Sequence, residues 1–388
     1  MKYNLVSDSW DKNEIQAINK VISSGIYTYK GKFVAEYENK ISKFFKVKYC
    51  VSVNSGSSAN LISVASLFFK KINPLKRGDE VIVPTLSWST TYHPLQQYGL
   101  NLKFVDIDIN TLNVKAEDVI KACTNKTKLI VAVSILGNPV ELDKLRNFCQ
   151  KKKIYLMEDN CESMGAKIKN KYTGTYGIVN TFSTFFSHHI STIEGGFVLT
   201  DDKEIYEILL SLRSHGWTRD ITNRKSILKK HQKQYEQYCF VLPGYNVRST
   251  NLNCAIGISQ LKKLPNFLKI RRKNHKLFHD EFKNDERFYI QKSYGNNSSF
   301  AFTLILKPKF KDKYSKLCNI LKKNKIEYRL ITGGSFFQHP VKKFFNFKIY
   351  KNSIKNVEYL HKYGLFVGNH PKNLSKEIKL LRSVLNKL

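Results

Sequence analysis

Tyr49-Cys50-Val51-Ser52-Val53-Asn54-Ser55-Gly56-Ser57-Ser58-Ala59-Asn60 sets the pattern of the chain. A short strand runs into a turn of small polar residues, and a helical pattern follows to about Lys70. A strand that passes straight into a helix is the first half of a βαβ unit. The alternation continues. Val81-Ile82-Val83-Pro84, Leu102-Lys103-Phe104-Val105-Asp106, Lys128-Leu129-Ile130-Val131-Ala132-Val133 and Ile154-Tyr155-Leu156-Met157 read as further strands, with a helix near 141–152 between the last two. Apolar runs of this length, separated by helices, predict a mostly parallel sheet covered on both faces. Two more strands are expected near 180–183 and 196–200. Upstream, Gly25 to Gly31 reads as a loop between two helical patterns. Downstream, a helical region from about 251 to 285 leaves the large domain, and the remainder reads as a smaller α+β lobe whose clearest strand is 300–306. The charged stretch from Ser375 has the spacing of an amphipathic helix. The fold class is therefore α/β, with a large domain over residues 1–265, N-terminal segment included, and a small C-terminal α+β domain over 266–388.

A chain of 388 residues with 42% hydrophobic and 13% aromatic content can bury a sizeable core, so global disorder is excluded. No apolar run approaches the roughly 18 residues of a membrane span. The N-terminus shows no secretory pattern. The net charge is 65 − 31 = +34. That value alone suggests nucleic acid or an anionic surface. Only 11 of the 65 basic residues are Arg, however, and the Lys are scattered without a block or a tail. Base readers need the planar Arg fork, so this balance argues against a nucleic-acid partner. Cys50, Cys123, Cys149, Cys161, Cys239, Cys254 and Cys318 form no CxxC pair, which suggests neither a zinc site nor an iron–sulfur cluster. Free thiols fit a reducing cytoplasm.

Four segments bear chemistry. The turn at 55–60 can bind an anion with helix N-terminal N–H groups, or be an ordinary Ser cap. Glu158-Asp159-Asn160-Cys161-Glu162 ends a buried strand, where acidic residues face the ligand crevice of such sheets or cap the next helix. Trp88, just after the second strand, offers a stacking face or a core side chain. Thr181 to Gly196 places His188 and His189 after an apolar strand and before Glu194-Gly195-Gly196. Of two adjacent His, at most one is expected to act as acid or base.

These motifs, with Arg213-Ser214-His215-Gly216-Trp217 and Pro243-Gly244-Tyr245-Asn246-Val247-Arg248, resemble the DegT/DnrJ/EryC1/StrS family over nearly the whole chain. The resemblance implies the fold type I, aspartate aminotransferase-like architecture and pyridoxal phosphate chemistry on nucleotide-linked sugars. Most of the family carries a Lys six residues before the Glu of the E-G-G turn, and that Lys binds the cofactor covalently. Here the position is His188. Imidazole moves protons but does not form the stable imine of an amine. The resemblance therefore implies a non-covalently held pyridoxal/pyridoxamine phosphate and the chemistry of the family's His-bearing sugar 3-dehydratases. The implied substrate is a 4-keto-6-deoxy sugar on a nucleotide, GDP-4-keto-6-deoxy-D-mannose foremost. L-glutamate would restore the pyridoxamine form, and the product would feed a surface glycan such as lipopolysaccharide O-antigen.

The resemblance also assigns roles. Gly56, Ser57 and Ser183 contact the phosphate. Trp88 stacks on the pyridine. Asp159 pairs with the ring nitrogen, with Glu162 close by. Asn246 reaches the cofactor phosphate of the other subunit of a homodimer. His215, Arg219 and Arg329 are candidates for substrate contacts, and the loop Gly333 to His339 for the pocket lining. A second His-bearing branch holds an iron–sulfur cluster through clustered Cys. Cys239, Cys254 and Cys318 are too far apart in sequence to suggest it. Three other readings are open to these residues: a 4-aminotransferase of the same family that tolerates His or uses another Lys, a non-catalytic regulator on the same fold, and nonspecific nucleic-acid binding.

Overall fold

The computed structural model describes residues 2–29, 31–222, 224–225 and 238–388. Of the expected 25–31 loop, Lys30 lies outside the described residues. Helices α1 (Lys12–Ser24) and α2 (Lys32–Phe45) lead into β1 (Tyr49–Val53), and α3 (Gly56–Phe68) follows at once. Then come β2 (Glu80–Pro84), α4 (Ser89–Gln97), β3 (Asn101–Val105), α5 (Ala116–Ala122), β4 (Thr127–Val133), α6 (Leu142–Lys152) and β5 (Tyr155–Asp159). A two-residue pair, β6 (Lys167–Ile168) and β7 (Lys171–Tyr172), precedes β8 (Val179–Ser183), β9 (Gly196–Thr200) and α7 (Lys203–Arg213). The eight-stranded sheet runs β1-β9-β8-β5-β4-β2-β3-β13, where β13 is Phe347–Ile349. Strands β1, β8, β5, β4, β2, β3 and β13 run in one direction, and β9 alone is antiparallel, inserted between β1 and β8. This order puts the carboxyl ends of β2, β4, β5 and β8 on one rim, where α/β sheets bind ligands.

Helix α3 explains why that rim is fixed. It is apolar nearly all round, and Ala59, Ile62, Val64, Ala65 and Leu67 are all buried. Such a helix belongs inside a molecule. It starts at Ser55, whose hydroxyl accepts the Ser58 N–H at 3.0 Å. The strand before it is secured by a buried ion pair. Arg213 Nη1 donates to Glu38 Oε1 at 2.6 Å and to the Ser52 carbonyl at 3.0 Å, while the same Glu38 oxygen accepts the Ser52 N–H at 2.8 Å.

Helix α8 (Asn251–Phe282) is 32 residues long and carries the chain to the small lobe. There β10 (Phe288–Tyr289), β11 (Ala301–Leu306), β14 (Gly364–Gly368) and β12 (Tyr328–Arg329) form an antiparallel sheet. It is covered by α9 (Tyr314–Lys323), α10 (Lys355–Tyr363) and α11 (Ser375–Leu385). The expected boundary after residue 265 falls inside α8, at Pro265. Two segments cross the expected division. Tyr3 is buried in the small-lobe core and donates its hydroxyl to the Gly368 carbonyl at 2.6 Å. From the small lobe, β13 returns to pair with β3 of the large sheet.

Removing Glu38 leaves Arg213 buried and unpaired, at a cost of about 3–5 kcal/mol. Glu38→Ala is expected to lower the unfolding free energy read from urea denaturation by that amount, and Glu38→Gln, which keeps an acceptor, by less.

Candidate functional site

The site is built where α3 and α4 begin. Gly56 is fixed by close approach: a Cβ there would lie 2.7 Å from Ser183 Cβ and 3.0 Å from Cys161 Sγ. Gly196 is fixed likewise, since its Cβ would lie 2.6 Å from the Ser55 carbonyl carbon. The turn is thus seated directly against the ends of β8 and β9. Ser57 is exposed at the helix start and donates its hydroxyl to Thr90 Oγ1 at 2.9 Å. Ser183 is buried, and its hydroxyl accepts the Phe185 N–H at 3.2 Å. Free N–H groups at a helix start, with two hydroxyls beside them, suit a phosphate dianion.

Asp159, at the end of β5, is the hub. Its Oδ2 accepts from Asn60 Nδ2 at 2.9 Å and from Thr91 Oγ1 at 2.7 Å. Its Oδ1 accepts the Cys161 N–H at 3.1 Å. Thr181 Oγ1 donates to Asn60 Oδ1 at 2.7 Å and so orients the amide. One carboxylate thereby joins α3, α4 and β8. The neighbouring Glu158 does different work. Wholly buried, it accepts the N–H groups of Gly174, Tyr176 and Gly177 at 2.6, 2.5 and 2.8 Å and shapes that loop. Burial still raises its carboxyl above the usual range. Glu162 is half-buried and accepts the Leu136 N–H at 2.9 Å. Burial pushes its carboxyl up to about 7.

Trp88 precedes α4 and is 59% exposed. Gly333, from the small lobe, comes within ordinary contact of its ring edge: a Cβ there would lie 3.7 Å from Trp88 Cζ3. An exposed indole next to a buried carboxylate and a helix start is a fitting seat for a flat, anionic, protonated heteroaromatic ring.

His188 lies in the turn between β8 and β9. Thr184 and Thr192 close the turn through their hydroxyls at 2.6 Å, and the Thr184 N–H reaches the Gly195 carbonyl at 2.9 Å. The imidazole packs at 5.3 Å on the Phe300 ring and edge-on at 5.9 Å to Phe185. Its Nδ1 is buried without a hydrogen-bond partner. Burial, with Arg271 adding to it, lowers its pKa to about 4. His189 is engaged elsewhere, with Nε2 at 2.6 Å from the Ser298 carbonyl, while its Nδ1 is buried without a partner.

The structure thus brings together Gly56, Ser57, Trp88, Asp159, Glu162, Ser183 and His188. Asn246, His215 and Arg219 sit apart but nearby. The segment 246–248 runs beside the end of β1, since the Asn54 N–H donates to the Val247 carbonyl at 3.0 Å. Asn246 itself is exposed and accepts from Arg248 Nε at 2.9 Å. His215 is exposed in a left-handed conformation, φ 63°. The Arg219 guanidinium lies 3.4 Å over the Trp217 ring. Arg329 is exposed on β12, turned back on the Tyr328 carbonyl at 3.0 Å, and touches none of the other site residues. Sequence reasoning missed Thr91 and Phe300. Thr91 lies three residues past Trp88 with no motif to mark it, and Phe300 was visible only as a strand residue. Among the described residues no group of three or more His, Cys, Asp or Glu is placed to hold a metal, and no helix is long and apolar enough to cross a membrane.

The DegT/DnrJ/EryC1/StrS aminotransferase family description matches residues 8–379. The chain is 48% identical over 388 residues to the GDP-4-keto-6-deoxy-D-mannose 3-dehydratase of Escherichia coli O55:H7, covering 99% of this chain and 100% of that one. It superposes with a TM-score of 0.95, at 48% identity, on crystal structures of GDP-4-keto-6-deoxymannose-3-dehydratase. One is the ColD H188N mutant with bound GDP-perosamine, and the other holds a trapped PLP-glutamate geminal diamine. Each match covers 99% of this chain and 100% of the other.

Two outcomes are expected. Glu158→Ala leaves three backbone N–H groups without their acceptor and lowers Tm, by about 3 kcal/mol of stability. His188, His275 and His370 are each lowered by burial to about 4. They are neutral in the fold but take up protons below about pH 6.5 when unfolded. Their contribution is present above that pH and is lost as pH falls toward 4, so Tm measured by calorimetry drops steadily between pH 6.5 and 4.5.

Proposed function

The chain belongs to the DegT/DnrJ/EryC1/StrS aminotransferase family, and on that premise we propose that it removes the C3 oxygen of a nucleotide-linked 4-keto-6-deoxy sugar, GDP-4-keto-6-deoxy-D-mannose first. One observation carries the reading: an imidazole, His188, stands where the family's cofactor-linking Lys belongs, in a site otherwise complete. The relatives named as 3-dehydratases, one crystallised with GDP-perosamine and one with a PLP-glutamate adduct, support it.

The residues present fit pyridoxal or pyridoxamine phosphate held without a covalent bond. The helix start at Gly56 and Ser57, with Ser183, takes the phosphate. Asp159 holds the pyridine nitrogen protonated, Glu162 lies beside it, and Trp88 covers a ring face. When bound, pyridoxamine phosphate supplies an amine for the C4 ketone and a ring that stores an electron pair. The chain supplies the proton traffic. His188, neutral at pH 7, accepts a proton and returns it to the C3 hydroxyl as that group leaves. The phenyl rings of Phe185 and Phe300 flank the imidazole. The oxygen departs as water. The two electrons come from L-glutamate, which ends as 2-oxoglutarate and ammonia.

Asn246, exposed beside the β1 turn, fits a reach into a second subunit, so the working unit would be a homodimer with shared sites. His215 and Arg219 border the same edge and fit contacts with the sugar nucleotide or the partner chain. Arg329 fits an anionic group only if the β12 edge faces that partner. We read residues 1–265 as the part that mainly holds the cofactor and 266–388 as the part that covers it, joined by α8 and crossed by Tyr3 and β13. A cytoplasmic location fits seven cysteines of which none is paired.

Incubation with pyridoxal phosphate, L-glutamate and GDP-4-keto-6-deoxymannose is expected to yield a sugar nucleotide lighter by one oxygen, with ammonia released. A product carrying an amine in place of the keto oxygen would refute the reading. His188→Asn is expected to reduce kcat about 10²–10⁴-fold, the usual worth of a general acid–base.

A further inference from the structure

Three residues of the small lobe, 298–300, form a strip pressed against the His188 turn. They are held from the large lobe and from α8 alike. The Ser298 N–H donates to the Gly137 carbonyl at 2.9 Å, and the Phe300 N–H to the Leu136 carbonyl at 3.0 Å. The approach is close: a Cβ on Gly137 would lie 2.7 Å from the Ser298 carbonyl carbon. From α8, the Arg271 guanidinium donates to the Ser299 and Phe300 carbonyls at 3.5 and 3.3 Å and to the Asn369 carbonyl. Arg271 is 2% exposed, and its Nε is buried without a partner. No carboxylate pairs with it among the described residues, although a buried cation is normally paired. The third tie is His189, whose Nε2 lies 2.6 Å from the Ser298 carbonyl. Since that carbonyl can only accept, Nε2 carries the proton.

We propose that Arg271 and His189 are positioning residues that lock the His188 turn onto the 298–300 strip and keep the His188 imidazole unprotonated until the reaction hands it a proton. The inference rests on the reading of His188 as the proton carrier. Two effects support it. The first is geometric. His189 is adjacent in sequence to His188, so its bond to Ser298 fixes the backbone from which His188 projects. Arg271 holds the Phe300 carbonyl, and the Phe300 ring is the surface on which His188 rests. The second is electrostatic. The groups facing the His188 ring are Arg271 from α8, His189 on its own turn, and the rings of Phe185 and Phe300. Arg272 and His370 stand behind them, toward His189 and Arg271 respectively. A fixed positive charge in this surrounding disfavours a second one on His188. Burial is the larger cause and Arg271 the next. An imidazolium so disfavoured gives up its proton readily to a leaving hydroxyl, and the unprotonated form that must accept one is the form present at pH 7.

The test uses the full chain with ¹³C-labelled His, His188 being assigned by its disappearance in His188→Asn. In the cofactor-free protein Arg271→Met is expected to raise the His188 titration midpoint by about one pH unit, and Arg271→Lys to leave it near the wild-type value. An unchanged midpoint in Arg271→Met would overturn the electrostatic role. His189→Leu is expected to cut kcat about 10- to 100-fold with KM little changed, as a misplaced group does, while His189→Gln, whose amide can still donate to Ser298, recovers most of it. Equal activity in His189→Leu and the wild type would overturn the positional role. Should Arg271→Met not fold, the His189 pair still decides that role, and Arg271→Gln, which drops the charge but keeps a donor, decides the other by the same rise in midpoint. The midpoints are read without substrate, so they stand or fall separately from the choice of reaction.

Discussion

Asp159 Oδ2 takes two hydrogen bonds inside the protein, from Asn60 and Thr91, and the site's layout depends on them. These bonds bring the start of α3 and the start of α4 to the end of β5. The helix start that fits a phosphate and the tryptophan that fits a ring are therefore set in one frame. Charge-assisted bonds of this kind are stronger than neutral ones, and buried ones stronger still. Without the carboxylate, the amide of Asn60 and the hydroxyl of Thr91 would lose their common partner, and the Ser57–Thr90 hydrogen bond and shared core packing would remain to hold the two helices.

Against this rigid frame the turn of His188 is unusual. In a relative with Lys at that position, an amine can bind the cofactor and displace the product. An imidazole offers only proton transfer, and this one sits where protonation is disfavoured. The same substitution explains both the non-covalent fit and the departure from amination. The fold is shared with aminotransferases, and the difference in proposed chemistry comes down to which atom stands at one position.

Much of this was legible from residues alone. The strand–turn–helix at 49–60 and the apolar runs after it gave strands within a residue or two, and the C-terminal helix starts at Ser375 as its spacing suggested. Local pattern fails where partners are distant. Strand β13 is three residues long and pairs with β3 some 240 positions earlier, a contact no periodicity reveals. Tyr3 joins the small-lobe core for the same reason. In the site, the acidic segment 158–162 stood out at a strand's end, and the family resemblance singled out Asp159 within it. Phe300 and Arg271 were not, because each looks like an ordinary strand or helix residue until the fold sets it beside His188. Glu158 and Asp159 look alike in sequence, and only the hydrogen bonds separate the loop-shaping residue from the hub.

The central claim is that the cofactor is held without a covalent bond because His188 has no amine. Borohydride reduction of the protein loaded with one equivalent of pyridoxal phosphate, followed by intact mass and peptide mapping, tests it most directly. The expected result is no stoichiometric adduct on the wild type and one on His188→Lys, at residue 188. A single Lys labelled stoichiometrically in the wild type would contradict the account, since another amine would then be doing the work of the missing one.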